Sequence, residues 1–155
     1  MTAVRVSLID VYVVRRRGDT LECVVLQRGP DGRCPGSWET VHGHIEPNEP
    51  PADAAVRELL EETGLTPTRL YNLSRVETFY QHGSDEVALV PVFVAFVEPD
   101  AVVTLGSEHV RSEWLAFADA QQRFAWPRER RALDDIVILL GSGDAGPVED
   151  VLRVC

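Results

Sequence analysis

The stretch Gly43-His44-Ile45-Glu46-Pro47-Asn48-Glu49-Pro50-Pro51-Ala52-Asp53-Ala54-Ala55-Val56-Arg57-Glu58-Leu59-Leu60-Glu61-Glu62-Thr63-Gly64-Leu65 decides how the rest of this chain is read. Its first third is a loop rich in turn formers. The prolines at 50 and 51 suit the start of a helix, Asn48 suits its N-cap, and Gly64 suits the left-handed position that ends one. The expected helix therefore spans Pro51–Thr63. Ala52, Ala55, Val56, Leu59 and Leu60 recur at spacings of three and four and form an apolar stripe. Glu58, Glu61 and Glu62 fall on a different face, with Arg57 one turn before Glu61.

Three carboxylates on one face repel. The i,i+4 pair Glu58 and Glu62 costs roughly 0.2–0.5 kcal/mol on an exposed helix, which a solvated acidic face tolerates without any purpose. The preceding loop adds weight to a chemical role. Hard divalent cations take carboxylate and carbonyl oxygens, a glycine lets a backbone carbonyl approach closely, and an arginine can orient a carboxylate through paired hydrogen bonds.

Outward from this segment the chain alternates strands and helices. Val4–Val14 and Leu21–Leu26 read as strands joined by the turn at Arg16–Asp19. Gly29–Ser37 is a loop, and Trp38–Val41 is short and extended. Leu70–Tyr80 and Val87–Val97 read as strands, and Pro91 inside the second predicts a bulge or an edge. Val110–Phe117 reads as a further strand. Ala118–Phe124 and Arg128–Leu140 read as helices, the latter opened by Pro127. The residues from Gly141 on are rich in Gly and Asp and read as a loose tail. This order predicts an α/β (α+β) sandwich with a mixed sheet between helices, and 155 residues suit one domain, 1–155, around one core.

Apolar residues at 45% and charged residues at 26% exclude a disordered or fibrous chain. No apolar run is long enough to span a membrane. The N-terminal residues lack a signal-peptide layout, and the three cysteines, Cys23, Cys34 and Cys155, form no metal or redox spacing. A reduced, cytoplasmic protein is expected. A net charge of −10, with arginine as the sole basic residue type, argues against nucleic acid as a partner.

The quoted stretch resembles the Nudix box, G-x5-E-x7-R-E-U-x-E-E-x-G-U with U apolar. Gly43, Glu49, Arg57, Glu58, Leu59, Glu61, Glu62, Gly64 and Leu65 fill every defined position over residues 43–65. The resemblance implies an α/β/α sandwich, binding of Mg2+ or Mn2+, and hydrolysis of a diphosphate linkage in a nucleotide-like small molecule. It implies Glu61 and Glu62 as main metal ligands, Glu58 as a third ligand or general base, and Arg57 as the residue that orients them. Glu49 and Gly43 are implied to be structural. A backbone carbonyl at His42 or Gly43 is a further ligand candidate, although His42 stands where the family often has a first glycine.

A softer likeness links Ser107–Leu115 to dihydroneopterin triphosphate pyrophosphatases and diadenosine tetraphosphate hydrolases. It marks Glu108 as a ligand or base, against the plain reading of a surface glutamate at a loop end. Glu77 and Glu86 are weaker candidates. Arg28 either touches a phosphate or covers a sheet edge. Trp38, Tyr80 and Trp126 either stack on a base or pack in the core. His82 and His109 carry no spacing for zinc. The expected substrate is a nucleoside or pterin triphosphate, with a dinucleoside polyphosphate second and ADP-ribose or a nucleotide sugar behind. No membrane partner is expected, and a homodimer is allowed. A Nudix-fold binding module without catalysis and a metal-free acidic interaction domain are the rival readings.

Overall fold

The computed structural model describes Met1–Cys155. β1 (Ala3–Val6) and β2 (Leu8–Arg17) follow one another along the chain, broken at Ser7, and both pair with the same later strand. β3 (Thr20–Arg28) follows through the expected turn, then β4 (Trp38–Glu39), β5 (Val41–His44) and α1 (Pro51–Thr63). β6 (Arg69–Gln81), β7 (Glu86–Phe96) and β8 (His109–Ala116) come next, and α2 (Phe117–Arg123), α3 (Pro127–Leu140) and α4 (Glu149–Leu152) complete the chain.

All strands join one eight-stranded sheet. β7 runs parallel to β1 and β2, and the remaining pairings are antiparallel, so the sheet is mixed as expected. Strand β2 is buried along nearly its whole length, which is the pattern of a strand covered on both faces. Alternate side chains go to opposite layers. Ile9, Val11 and Val13 pack with Ala54, Ala55 and Leu59 of α1. Tyr12 and Val14 pack with Ala120 and Phe124 at α2 and with Leu133 and Ile136 of α3. The two apolar clusters are the two cores of an α/β/α sandwich.

Several local expectations change. Asn48 does not cap α1: it adopts φ 65°, and Pro50 holds the cap position without a side-chain hydrogen bond. Gly64 ends the helix at φ 72°, as its position implies. Leu60 is exposed rather than part of the apolar stripe, and Ala54 is buried in its place. Glu62 is buried as well, so the acidic face is not uniformly solvated.

Pro91 lies in the sheet interior, between β6 and the β1/β2 edge. On one side β1 pairs with Glu86–Leu89 and β2 with Val92–Phe96, which leaves Pro91 opposite the interruption at Ser7. On the other side β6 bulges between Asn72 and Val76, with Ser74 at φ 55°. The bulge that a proline without an N–H requires is thus carried by the neighbours.

The C-terminal stretch is not loose. Ala145 and Leu152 are buried in the α3-side core. Val154 donates its N–H to the Leu70 carbonyl, and the Leu70 N–H donates to the Cys155 carbonyl. The Gly and Asp residues there make turns between docked apolar side chains, which composition alone does not distinguish from a free tail.

Candidate active site

The loop before α1 and the helix itself are locked by one arginine. Arg57 gives Nε to Glu49 Oε1 at 2.8 Å and Nη2 to Glu49 Oε2 at 2.9 Å, a two-point grip. Its other contacts are Glu58 Oε1 at 2.9 Å, Glu61 Oε2 at 3.3 Å and the His44 carbonyl at 2.8 Å. Hydrogen bonds from Arg57 hold the Glu49 carboxyl down at about 2. Arg57 therefore ties the loop to the helix and fixes the Glu58 carboxylate.

Gly43 sits in β5 opposite Ile9 of β2. A Cβ built on it would lie 2.1 Å from Glu58 Cδ. Only glycine leaves the space that the Glu58 carboxylate fills. Burial raises the Glu58 carboxyl above its usual range, the charges of Glu61 and Glu108 push the same way, and Arg57 opposes them.

Glu62 is 4% exposed. One of its oxygens accepts the His42 N–H at 3.2 Å, while Oε1 is buried without a hydrogen-bond partner. Burial, then the charges of Glu108, Glu58 and Glu39, push its carboxyl up to about 10. Glu61 stays largely in solvent, with a side-chain exposure of 56%. Glu108 is exposed, yet its charge reaches Glu58 and Glu62. The structure thus gathers Glu58, Glu61, Glu62 and Glu108 at one end of α1.

A cavity adjoins this group through Glu39 and His42, and Arg28, Arg33, Arg128, Phe79 and Trp126 also line it. Arg28 is bonded to Glu39 at 2.9 Å and Arg128 to Asp10 at 2.9 Å, whereas Arg33 is exposed. Trp38 is not brought to this cavity. It packs against the α3-side core beneath Arg111 and Arg123. Trp126 is the tryptophan at the cavity, 40% exposed and below Arg128. Glu77 and Glu86 are engaged elsewhere, with Arg75 and Arg5. Tyr80 bonds Asp85 in the β6–β7 turn.

Sequence reasoning missed the buried polar network behind the box. Asp10 accepts from Arg128 and lies 2.6 Å from His42 Nδ1. Burial works to raise the Asp10 carboxyl, but His42 and Arg128 outweigh it and leave it lowered. Glu129, at the first turn of α3, accepts the Thr40 N–H at 2.6 Å. Burial, with the Asp10 charge, pushes its carboxyl up to about 8. Glu39 Oε1 is 2.9 Å from His109 Nε2. An acid inside the apolar run Leu8–Val14 was a visible signal for Asp10; nothing local marks its partners.

The NUDIX domain family matches residues 5–136. The chain belongs to the Nudix family. Among curated proteins, an octanoyltransferase of Myxococcus xanthus is 34% identical over 122 residues, covering 74% of this chain and 32% of the relative. The Nudix chain thus spans about a third of that protein's length. Among solved structures, a Caenorhabditis elegans Ap4A hydrolase in a binary complex superposes with a TM-score of 0.72 at 23% identity, over 87% of this chain and 97% of that one. The Escherichia coli dihydroneopterin triphosphate pyrophosphohydrolase gives 0.70 at 22% identity, over 89% and 99%. Both establish the Nudix fold. Nudix hydrolases act on acid anhydrides and generally use divalent metals. The orphaned Glu62 oxygen and the excess of carboxylate over Arg57 at this site fit such an ion.

Proposed function

We propose that this chain hydrolyses a diphosphate bond of a nucleotide-like substrate, with Mg2+ or Mn2+ held by Glu58, Glu61 and Glu62. The observation that carries the reading is the meeting of two opposite environments. A carboxylate group short of counter-charge stands beside a cavity lined by three arginines and a tryptophan. A divalent ion at the carboxylates neutralises phosphate charge and polarises phosphorus.

The chain's own residues do the rest. Arg33, exposed at the cavity, takes phosphate oxygens, and Arg28 adds positive charge while anchored to Glu39. The face of Trp126 takes a planar base or pterin ring. Glu58, held by Arg57 over Gly43, or Glu108 from the β8 side receives the proton of the attacking water. The backbone carbonyl at His42 or Gly43 stays a candidate ligand, because the His42 N–H already meets Glu62. Positioning and charge stabilisation supply most of the rate in such reactions.

A nucleoside or pterin triphosphate is the favoured substrate. A dinucleoside polyphosphate is second, supported by the likeness to the Ap4A hydrolase. The reaction takes place in the cytoplasm on a small molecule, without nucleic acid or membrane. The test is a panel of deoxynucleoside triphosphates, dihydroneopterin triphosphate, diadenosine tetraphosphate, ADP-ribose and a nucleotide sugar, with products separated by chromatography. Cleavage of one class that falls in Trp126→Ala through KM is expected. Absence of cleavage across the panel with either metal would transfer the reading to a binding module.

A further inference from the structure

Glu62 and His109 leave two atoms unexplained. Among side-chain atoms, Glu62 Oε1, His109 Nδ1 and the Tyr12 hydroxyl are buried with no hydrogen-bond partner. The first two stand 3.6 Å apart, beyond a hydrogen bond. The His109 side chain is fully buried, and such groups are almost always satisfied. The other edge of the His109 ring is occupied, with Nε2 2.9 Å from Glu39 Oε1, which also receives Arg28 Nη1 at 2.9 Å. Those two donors hold the Glu39 carboxyl below its usual range against burial, which acts first and in the opposite sense. An ionised carboxylate only accepts, so Nε2 carries a proton, and in the neutral ring that a metal requires Nδ1 presents its lone pair toward Glu62.

That arrangement is a carboxylate–histidine relay of the kind that orients metal-bound imidazoles. Two ligands of one ion, at bonds of about 2.0–2.2 Å, stand ~3.0–3.5 Å apart, so a slight rotation of the Glu62 carboxyl suffices. Glu39, Glu62 and His109 offer ligand atoms that all lie within 4.8 Å of one another. We propose that His109 Nδ1 and Glu62 Oε1 are inner ligands of one divalent first-row transition ion, with Glu39 orienting the imidazole through Nε2–H. An imidazole suits iron, nickel, copper or zinc best, and manganese, the weakest binder of the first-row series, accepts one beside carboxylates, whereas magnesium keeps to oxygen ligands. The site therefore prefers Mn2+ to Mg2+. This rests on the reading of Glu62 as a metal ligand in the proposed hydrolase.

The experiment is pulsed EPR on the full chain loaded with Mn2+, with and without histidine labelled with nitrogen-15 in the ring. Nitrogen-14 modulation from a coordinated imidazole, replaced by nitrogen-15 coupling in the labelled protein, is expected in the wild type. It is lost in His109→Gln and kept in His42→Gln and His44→Gln. Calorimetric titration should show Mn2+ binding at least about tenfold tighter than Mg2+, and Glu39→Gln should weaken Mn2+ binding roughly 10-fold or more. Bound Mn2+ without nitrogen coupling in the wild type overturns the proposal while leaving the hydrolase intact, and the buried pair is then held by a proton. Absence of Mn2+ binding with Mg2+ still bound overturns the proposal alone, and absence of binding by both ions overturns the hydrolase as well. The wild-type spectrum decides even if His109→Gln fails to fold.

Discussion

The Nudix box and the polar network behind it are both rich in ionisable side chains, but they are assembled in opposite ways. The box is continuous, residues 43–65, and its parts meet through helical spacing and one arginine. The network draws Asp10, Glu39, Thr40, His42, His109, Arg128 and Glu129 from five elements and the Thr40 link between two strands, and strand pairing together with the packing of α3 on the sheet brings them together. In the box Arg57 answers Glu49, Glu58 and Glu61 at once, and Glu61 reaches solvent, where a mismatched charge costs little. The network keeps its charges buried, where every unpaired group is expensive. Glu62 belongs to both. It lies on the box helix, yet it is the member buried against His42 and His109.

This contrast can be broken most sharply at Glu62. Glu62→Gln is expected to lower kcat/KM by at least about 100-fold, at or above the range for outer-shell partners of a metal. Its melting temperature should stay at or above that of the wild type, because a buried carboxyl is removed. A variant with full activity would end the assignment of Glu62. A smaller loss, roughly 10–100-fold, is expected for Gly43→Ala. The new methyl meets the far end of the Glu58 side chain, so the carboxylate is displaced and the fold is not. In Gly106→Ala the added Cβ meets the Glu61 backbone oxygen at 2.6 Å, and thermal melts should show lost stability instead. If both alanines behave alike, the separation between site and scaffold fails.

The smallest effect concerns the network. Glu129 is raised to about 8 in the folded protein, against about 4.3 for an unperturbed glutamate. Between those values the unfolded chain binds fewer protons, so the stability contributed by Glu129 is complete below the lower value and is lost as pH rises toward 8. The slope is at most about 1.4 kcal/mol per pH unit. Metal-free protein should melt at lower temperature as pH goes from 6 to 8, and Glu129→Gln should flatten that trend without abolishing it, since Glu62 is raised too. An unchanged slope in Glu129→Gln would remove the buried network from the account.

The same contrast explains what was legible in the chain. Helix α1 could be placed from its prolines and Gly64, and the sandwich from the alternation of elements, because both depend on local pattern. Arg57 and the glutamates followed from spacing. Glu39 and His109 are separated by 70 positions and meet through the pairing of β3 with both β4 and β8, which no window reveals. Trp38 and Trp126 are equally aromatic on paper. Trp38 lies in β4 and packs into the α3-side core, whereas Trp126 stands before the first turn of α3, at the cavity. Asn48 lost the cap because the two prolines fix the chain direction before the helix begins.

The docking of residues 153–155 along Leu70 has a consequence for self-association. The outer edge of β6 is a row of backbone donors and acceptors, of the kind that recruits a strand from another molecule. Arg153 pairs with Tyr71 and the next two residues occupy both polar groups of Leu70. The chain thus closes its own template at that end. Farther along the same strand, Val76 and Tyr80 lie open to solvent. Any segment that continues beyond Cys155 departs from this edge.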